Sequence, residues 1–234
     1  MPTAKELFQD GRLEAAIETL GVELRSNPTD VQRRSFLFEL LSFAGQYDRA
    51  QKQLDALASD GAMAEAGAAT YRAALVAERV REHMFETNDY PRDAAPAVTG
   101  GSCNGTAFST IEDADPRIGA RLEVCAGGRY LWIPFAHLAS VTIEEPKRLR
   151  DLRWIPARVQ TSEEIRHMDL GEVLLPALSP AVWRNSDPEL RIGRATDWEE
   201  LPDGDFAPVG QKVWRIDGRE IPLLDIRQLV LTSD

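Results

Sequence analysis

The sequence predicts an α+β chain, helices first and strands second, and three observations predict it. The stretches DGRLEAAIETL (10–20) and AGQYDRAQKQL (44–54) align at an offset of 34 residues, with Gly11 on Gly45, Leu13 on Tyr47, Ala16 on Ala50 and Leu20 on Leu54. All five tryptophans lie after residue 130. Twelve of the fourteen prolines lie after residue 90, so helix-compatible sequence gives way there to strand-and-turn sequence.

In the first half Ala4, Leu7 and Phe8 share one helical face, and Leu13, Ala16, Ile17, Leu20 and Leu24 continue with a 3.6-residue period. Asp10–Gly11 separates these two helices, and SNPTD (26–30) ends the second. Phe36, Leu37, Leu40 and Leu41 form the next apolar face; Gly45 breaks the chain before a helix over 47–58. The Ala-rich, Pro-free stretch 62–84 predicts one long helix. One helix pair cannot bury both of its faces, and stacking a second pair covers the open seam, which is why the pattern occurs twice. The period and the Gly-x-Leu/Tyr-x-x-Ala core resemble the tetratricopeptide repeat. The match departs from that repeat in lacking its Trp-x-x-Leu-Gly start, and the second unit lacks the closing proline.

A Pro/Gly/Asn/Asp-rich stretch (88–106) follows. The predicted organisation is a helical repeat domain at 1–90 (two helix pairs plus a long helix), a linker at 91–105 and a β-rich domain at 106–234. In the last of these, Leu122, Val124 and Ala126 alternate with Arg121, Glu123 and Cys125 before Gly127–Gly128, a hairpin signal. HLASVTIEEP (137–146) and LRWIPARV (152–159) read as strands; Asp217–Gly218 marks a second hairpin, and RQLVLT closes as a short helix or strand. VLLPALSP (173–180) reads as irregular because of its two prolines. The whole reads as a small, bent or barrel-like sheet.

Composition narrows the function classes. Formal charge is −11, divided −5 before and −6 after Ala95, so neither half has the basic footprint of a nucleic-acid binder. No apolar run reaches the ~18 residues of a membrane span, and MPTAKELFQD lacks the apolar stretch of a signal peptide, which favours a cytoplasmic location. Two cysteines, Cys103 and Cys125, make no disulfide framework.

Chemistry-bearing patterns are sparse. Gly100–Thr106 lacks the lysine and preceding strand of a phosphate loop and reads as a flexible linker. No two of His83, His137 and His167 have metal-ligand spacing, so neither metal nor cofactor is expected. IEDADP (111–116) packs three carboxylates into four positions without completing a calcium loop, and reads as a turn capped by aspartates. Lys147, Arg148, Arg150, Arg153 and Arg158 form a basic stripe around Trp154, suited to intramolecular pairing or to an acidic partner.

Several longer stretches resemble one family: DADPRIGARLEV (113–124), RYLWIPFAHLASVTIEEPKRLRDLRWIPARV (129–159), GEVLLPAL (171–178), RIGRATDWEEL (191–201), GQKVW (210–214) and LLDIRQL (223–229). They are similar to the ImpE family, also described as SciE-type or TagJ proteins, accessory components of bacterial type VI secretion. The resemblance implies a non-enzymatic adaptor that binds the small subunit of the contractile sheath and modulates its recycling by the ClpV AAA+ ATPase. It supplies no catalytic residue. On the repeat pattern Gln32, Ser35, Glu39 and Ser42 line the inner face of the second helix pair, and Trp132, Arg153 and Trp154 are partner-binding candidates by residue type. Two rival readings are a hydrolase using His167, Asp169 or Cys103, and a general peptide-binding or chaperone-like module. Self-association into a homo-oligomer is left open.

Overall fold

The computed structural model describes residues 2–59, 61–163 and 169–232, the side chain of Asp169 excepted. Five helices come first: α1 (Ala4–Gln9), α2 (Leu13–Ser26), α3 (Val31–Phe43), α4 (Tyr47–Ala58) and α5 (Ala62–Thr87). The expected faces are the buried ones. Leu13, Ala16, Ile17 and Leu20 of α2 and Ala50 and Leu54 of α4 all lie inside. Thr3 and Glu6 form a capping box on α1, Asp30 caps α3 by accepting from Arg33 N at 2.9 Å, and Asn88 ends α5 in the left-handed region.

An eight-stranded antiparallel sheet follows, built from β1 (Gly101–Cys103), β2 (Thr106–Phe108), β4 (Arg121–Ala126), β5 (Arg129–Pro134), β6 (Leu138–Ile143), β7 (Trp154–Thr161), β8 (Asp169–Pro176) and β13 (Gln228–Leu231), in the order β2-β1-β13-β6-β7-β8-β4-β5. Its end strands β2 and β5 do not pair, so the sheet is open and does not close into a barrel. Two small sheets sit beside it: β9 (Thr196–Glu200) with β10 (Phe206–Gly210), and β3 (Ile111–Asp113) with β11 (Val213–Ile216) and β12 (Arg219–Pro222). A one-turn helix, α6 (Pro188–Arg191), precedes β9.

Both hairpins read from the sequence are present, with positive φ at Gly127 and Gly128 and at Asp217 and Gly218, as a type I′ turn requires. Two expectations change. Residues 173–176 are not irregular: they complete β8, which runs beside β7 as far as the Trp154–Pro176 pair. Pro176 is tolerated because it ends the strand, where no ladder N–H is lost from its interior. The stretch read as flexible linker contains β1, which pairs through Ser102 with Val230 and through Gly101 with Leu231. A Cβ at Gly101 would stand 2.2 Å from Val230 O, so only glycine lets these two backbones close.

Strand alternation divides the interior into two clusters. Leu122, Val124, Ile155, Ala157, Val159, Val173 and Leu175 point to one side, where they meet Phe135, Trp214 and Leu229. Cys125, Trp154 and Leu174 point to the other, and there the helices cover them in a cluster continuous with Leu37, Phe38, Leu75 and Ala77. The polar face expected for β4 is therefore a buried interface with α5.

Candidate functional site at the helix–sheet interface

α5 carries Leu75, Glu78, Arg81, Glu82 and Phe85 on one stripe, at the i, i+3, i+6, i+7, i+10 spacing of a buried face. Three charges on an apolar stripe demand partners, and the sheet provides them. Arg81 is 1% exposed, and each of its guanidinium nitrogens has a partner. Its Nε and Nη2 donate to the two oxygens of Glu123 at 2.7 and 3.2 Å, its Nη1 to Glu78 at 3.0 Å and its Nη2 also to Leu178 O at 2.9 Å. Glu78 also accepts from Trp154 Nε1 at 2.9 Å and lies 3.5 Å from Arg153 Nη2. Glu123 accepts further from Tyr130 OH and Lys212 Nζ, and Lys212 pairs with Asp113 at 2.5 Å. Asp113 accepts from Asp115 N at 3.0 Å, and Asp115 in turn holds Arg117 at 2.6 Å. The stretch read as a turn, IEDADP, is strand β3 over its first three residues and turns only from Ala114, and Asp113 and Asp115 are inside, at the end of this ion chain.

A second branch starts at Glu82, which accepts from Tyr47 OH and from Trp183 Nε1, the latter at 2.9 Å. Tyr47 OH accepts from Arg153 Nη2 at 2.8 Å, and the Arg153 guanidinium lies over the rings of Tyr47 and Trp154.

The network sets its own charge states. Burial alone would raise Glu78 and Glu123, but their arginine and lysine partners prevail: Glu78 is lowered by Arg153 and Arg81, and Glu123 is lowered to about 2 by Arg81 and Lys212. At Asp113 burial prevails over Lys212, and with Glu123 and Asp115 nearby its carboxyl rises to about 7. Burial pushes the hydroxyls of Tyr47 and Tyr130 and the thiols of Cys103 and Cys125 upward. A thiol shifted that way is a poor nucleophile.

The repeat glycines have a second role here. Gly11 and Gly45 both have positive φ, +73° and +67°. A Cβ at Gly45 would sit 2.4 Å from the Trp183 ring, and one at Gly11 would sit 3.1 Å from Pro188. The segment 183–194 thus lies along the helical array with one residue seated on each repeat glycine. Arg191 pairs with Glu14 at 2.6 Å, and Arg194 donates to Gln9 O at 3.0 Å, which ties the rest of the segment down.

The sequence-derived candidates divide accordingly. Gln32 is exposed and Ser35 half-buried on α3. Glu39 and Ser42 are buried: Glu39 pairs with Arg150 at 3.1 Å, and Ser42 donates to Phe38 O at 2.9 Å. Burial raises the Glu39 carboxyl, with Arg150 opposing. The inner face expected to be open is covered by the chain's own second half. Trp154 is 0% exposed and Arg153 3%, so they hold α5 to the sheet and present no surface to a partner. Trp132 is half-buried, stacked on Tyr90 at 5.8 Å and 26° and next to Phe85. Of the basic stripe, Lys147, Arg150 and Arg153 have carboxylate partners within the chain. His167 lies outside the described residues, as does the side chain of Asp169. Cys103 is buried in β1. Among the described residues no group of three His, Cys, Asp or Glu is placed to hold a metal, and no helix is long and apolar enough to cross a membrane.

Sequence reasoning passed over Glu78, Arg81, Glu123 and Lys212. The signal for the first two was their placement on the apolar stripe of α5; Lys212 carried none.

The sequence model of the ImpE family, described as ImpE protein, matches residues 105–230. The chain is 33% identical to the type VI secretion system accessory component TagJ of Pseudomonas aeruginosa, over 97% of this chain and 90% of that protein. Its fold is similar to the crystal structure of protein VPA1032 from Vibrio parahaemolyticus, with a TM-score of 0.85 and 22% identity, covering 99% of this chain and 98% of the other.

Proposed function

The chain belongs to the ImpE family, and from that premise we propose that it is a non-enzymatic accessory protein of a type VI secretion machine. In this reading it works in the cytoplasm, binds the small subunit of the contractile sheath, and modulates how the ClpV AAA+ ATPase handles or recycles that sheath. The observation that carries the reading is the identity to TagJ, which extends over nearly the full length of both proteins.

The geometry supports an adaptor over a hydrolase. Glu78, Arg81, Glu123 and Lys212 are locked in mutual ion pairs at the buried interface of α5 with the sheet. The Cys103 thiol is shifted away from the reactive thiolate. Residues 183–194 lie along the helical array, so in this reading a partner binds on the outside of the molecule, where Gln32 of α3 is exposed and Ser35 half-buried. The test is co-expression of the tagged chain with the small sheath subunit of the same genome. Co-purification of the two is the expected outcome. Recovery of the chain alone, with the sheath subunit soluble in the same lysate, overturns direct sheath binding; recovery of the ATPase without the sheath subunit overturns it in favour of an ATPase-directed role.

A further inference from the structure

An open groove lies between the two small sheets, beyond the Asp113–Asp115 end of the buried ion network. It has a volume of about 440 Å³ and is lined by Ala114, Pro116, Trp198, Phe206, Arg215 and Glu220, with Asp205 at its rim. On the β9–β10 ribbon Trp198 opposes Pro208 and Glu200 opposes Phe206, so all four side chains share one face. Across the groove Arg215 opposes Glu220 on β11 and β12. Phe206 is 55% exposed, and among the described residues it is the one aromatic left that open. A large aromatic in the open beside a half-buried tryptophan is the composition of an interface anchor.

The charge around the groove is mostly negative. Residues 195–206, ATDWEELPDGDF, hold Asp197, Glu199, Glu200, Asp203 and Asp205 and no lysine or arginine. Among the described residues none of these five, nor Glu220, is in an ion pair. The groove's single cation, Arg215, is engaged, 3.0 Å from Glu112 and over the Trp198 ring. An apolar floor with unpaired carboxylates around it complements a cationic segment bearing an apolar side chain.

We infer that this groove docks a Lys/Arg-rich segment of a partner protein, which seats one apolar side chain between Trp198 and Phe206 and pairs its cations with Glu200, Asp205 and Glu220. The inference stands on this surface alone and holds whether or not the secretion reading does.

The probe is a fluorescein-labelled Lys/Leu peptide titrated with the full chain and followed by anisotropy, with a Glu/Leu peptide of equal length as control. The Lys/Leu peptide should saturate and weaken as salt is added; the Glu/Leu peptide should not bind. Phe206→Ala should weaken binding by about tenfold. Glu200→Gln with Asp205→Asn should weaken it comparably and flatten its salt dependence. Both variants alter exposed side chains, and thermal melts establish that they fold. No saturable binding overturns the inference. So does binding indifferent to Phe206→Ala, which means diffuse attraction to an acidic protein. Sedimentation of the peptide-free chain as a dimer that Phe206→Ala dissociates also overturns it, because the occupant is then a second copy.

Discussion

Replacing Gly45 by alanine tests how the second half is seated on the helices. Two costs add. At φ +67° an L side chain is strained by about 1–2 kcal/mol. The new Cβ would lie 2.4 Å from Cδ2 of Trp183, where carbon atoms rest at about 3.5–4.0 Å, so the ring must withdraw by over about 1 Å. That overpacking costs about 1–3 kcal/mol and pulls Trp183 Nε1 from its 2.9 Å bond to Glu82. Gly45→Ala should therefore destabilise by about 2–5 kcal/mol. Gly105→Ala is the control: φ is +80°, nothing lies within 4 Å of its Cβ, and it should cost only the strain, about 1 kcal/mol. The assay is urea unfolding followed by far-UV circular dichroism, completed as a cycle with Trp183→Ala. With the ring absent the clash is absent, so the two changes should be less than additive by about 2 kcal/mol. Equal costs at Gly45 and Gly105, or additivity within about 0.5 kcal/mol, would refute the seating of Trp183 on the repeat glycine.

The buried ions make two further predictions. Arg81→Met leaves Glu78 and Glu123 without their main cation and should cost about 3–5 kcal/mol, read as a lowered urea midpoint; a loss under about 1 kcal/mol would mean that solvent reaches the network. Asp113 gives a pH dependence of defined sign. Its folded pKa of about 7 lies above the ordinary carboxylate value, so between these the folded state binds more proton, and stability falls as pH rises until Asp113 has ionised. Glu123, lowered to about 2, acts oppositely: its contribution is present above the ordinary carboxylate range and is lost as pH falls toward 2. The wild-type unfolding free energy from urea titrations should thus decline from about pH 5 to 7, by up to about 1.4 kcal/mol per unit, and Asp113→Asn should flatten that decline. The same slope in both proteins would remove Asp113 as its source.

The helices were legible because their apolar residues keep a 3.6-residue period and glycine or Asx residues punctuate them. The hairpins were legible because Gly127–Gly128 and Asp217–Gly218 can adopt positive φ. What local pattern does not encode is what covers a polar face. Glu123 alternates with Leu122 and Val124 as a solvent-facing residue would; only α5, brought in from 40 residues upstream, makes it a buried counter-ion. Glu39 and Ser42, read as lining an open inner face, are buried, Glu39 against Arg150, a contact more than a hundred residues distant in sequence. Trp132, Arg153 and Trp154 have the residue types of binding hot spots and of a buried aromatic–cation core alike, and composition does not separate the two. Phe206 was passed over because a single aromatic at the end of an acidic stretch carries no periodic signal.

Direct engagement of the sheath, as proposed, is read from calorimetric titration of the intact chain with purified small sheath subunit. The expected result is a saturable heat with a Kd below about 100 μM, equivalent to about −5.5 kcal/mol or tighter. A flat titration up to that concentration, with both proteins folded, would contradict it.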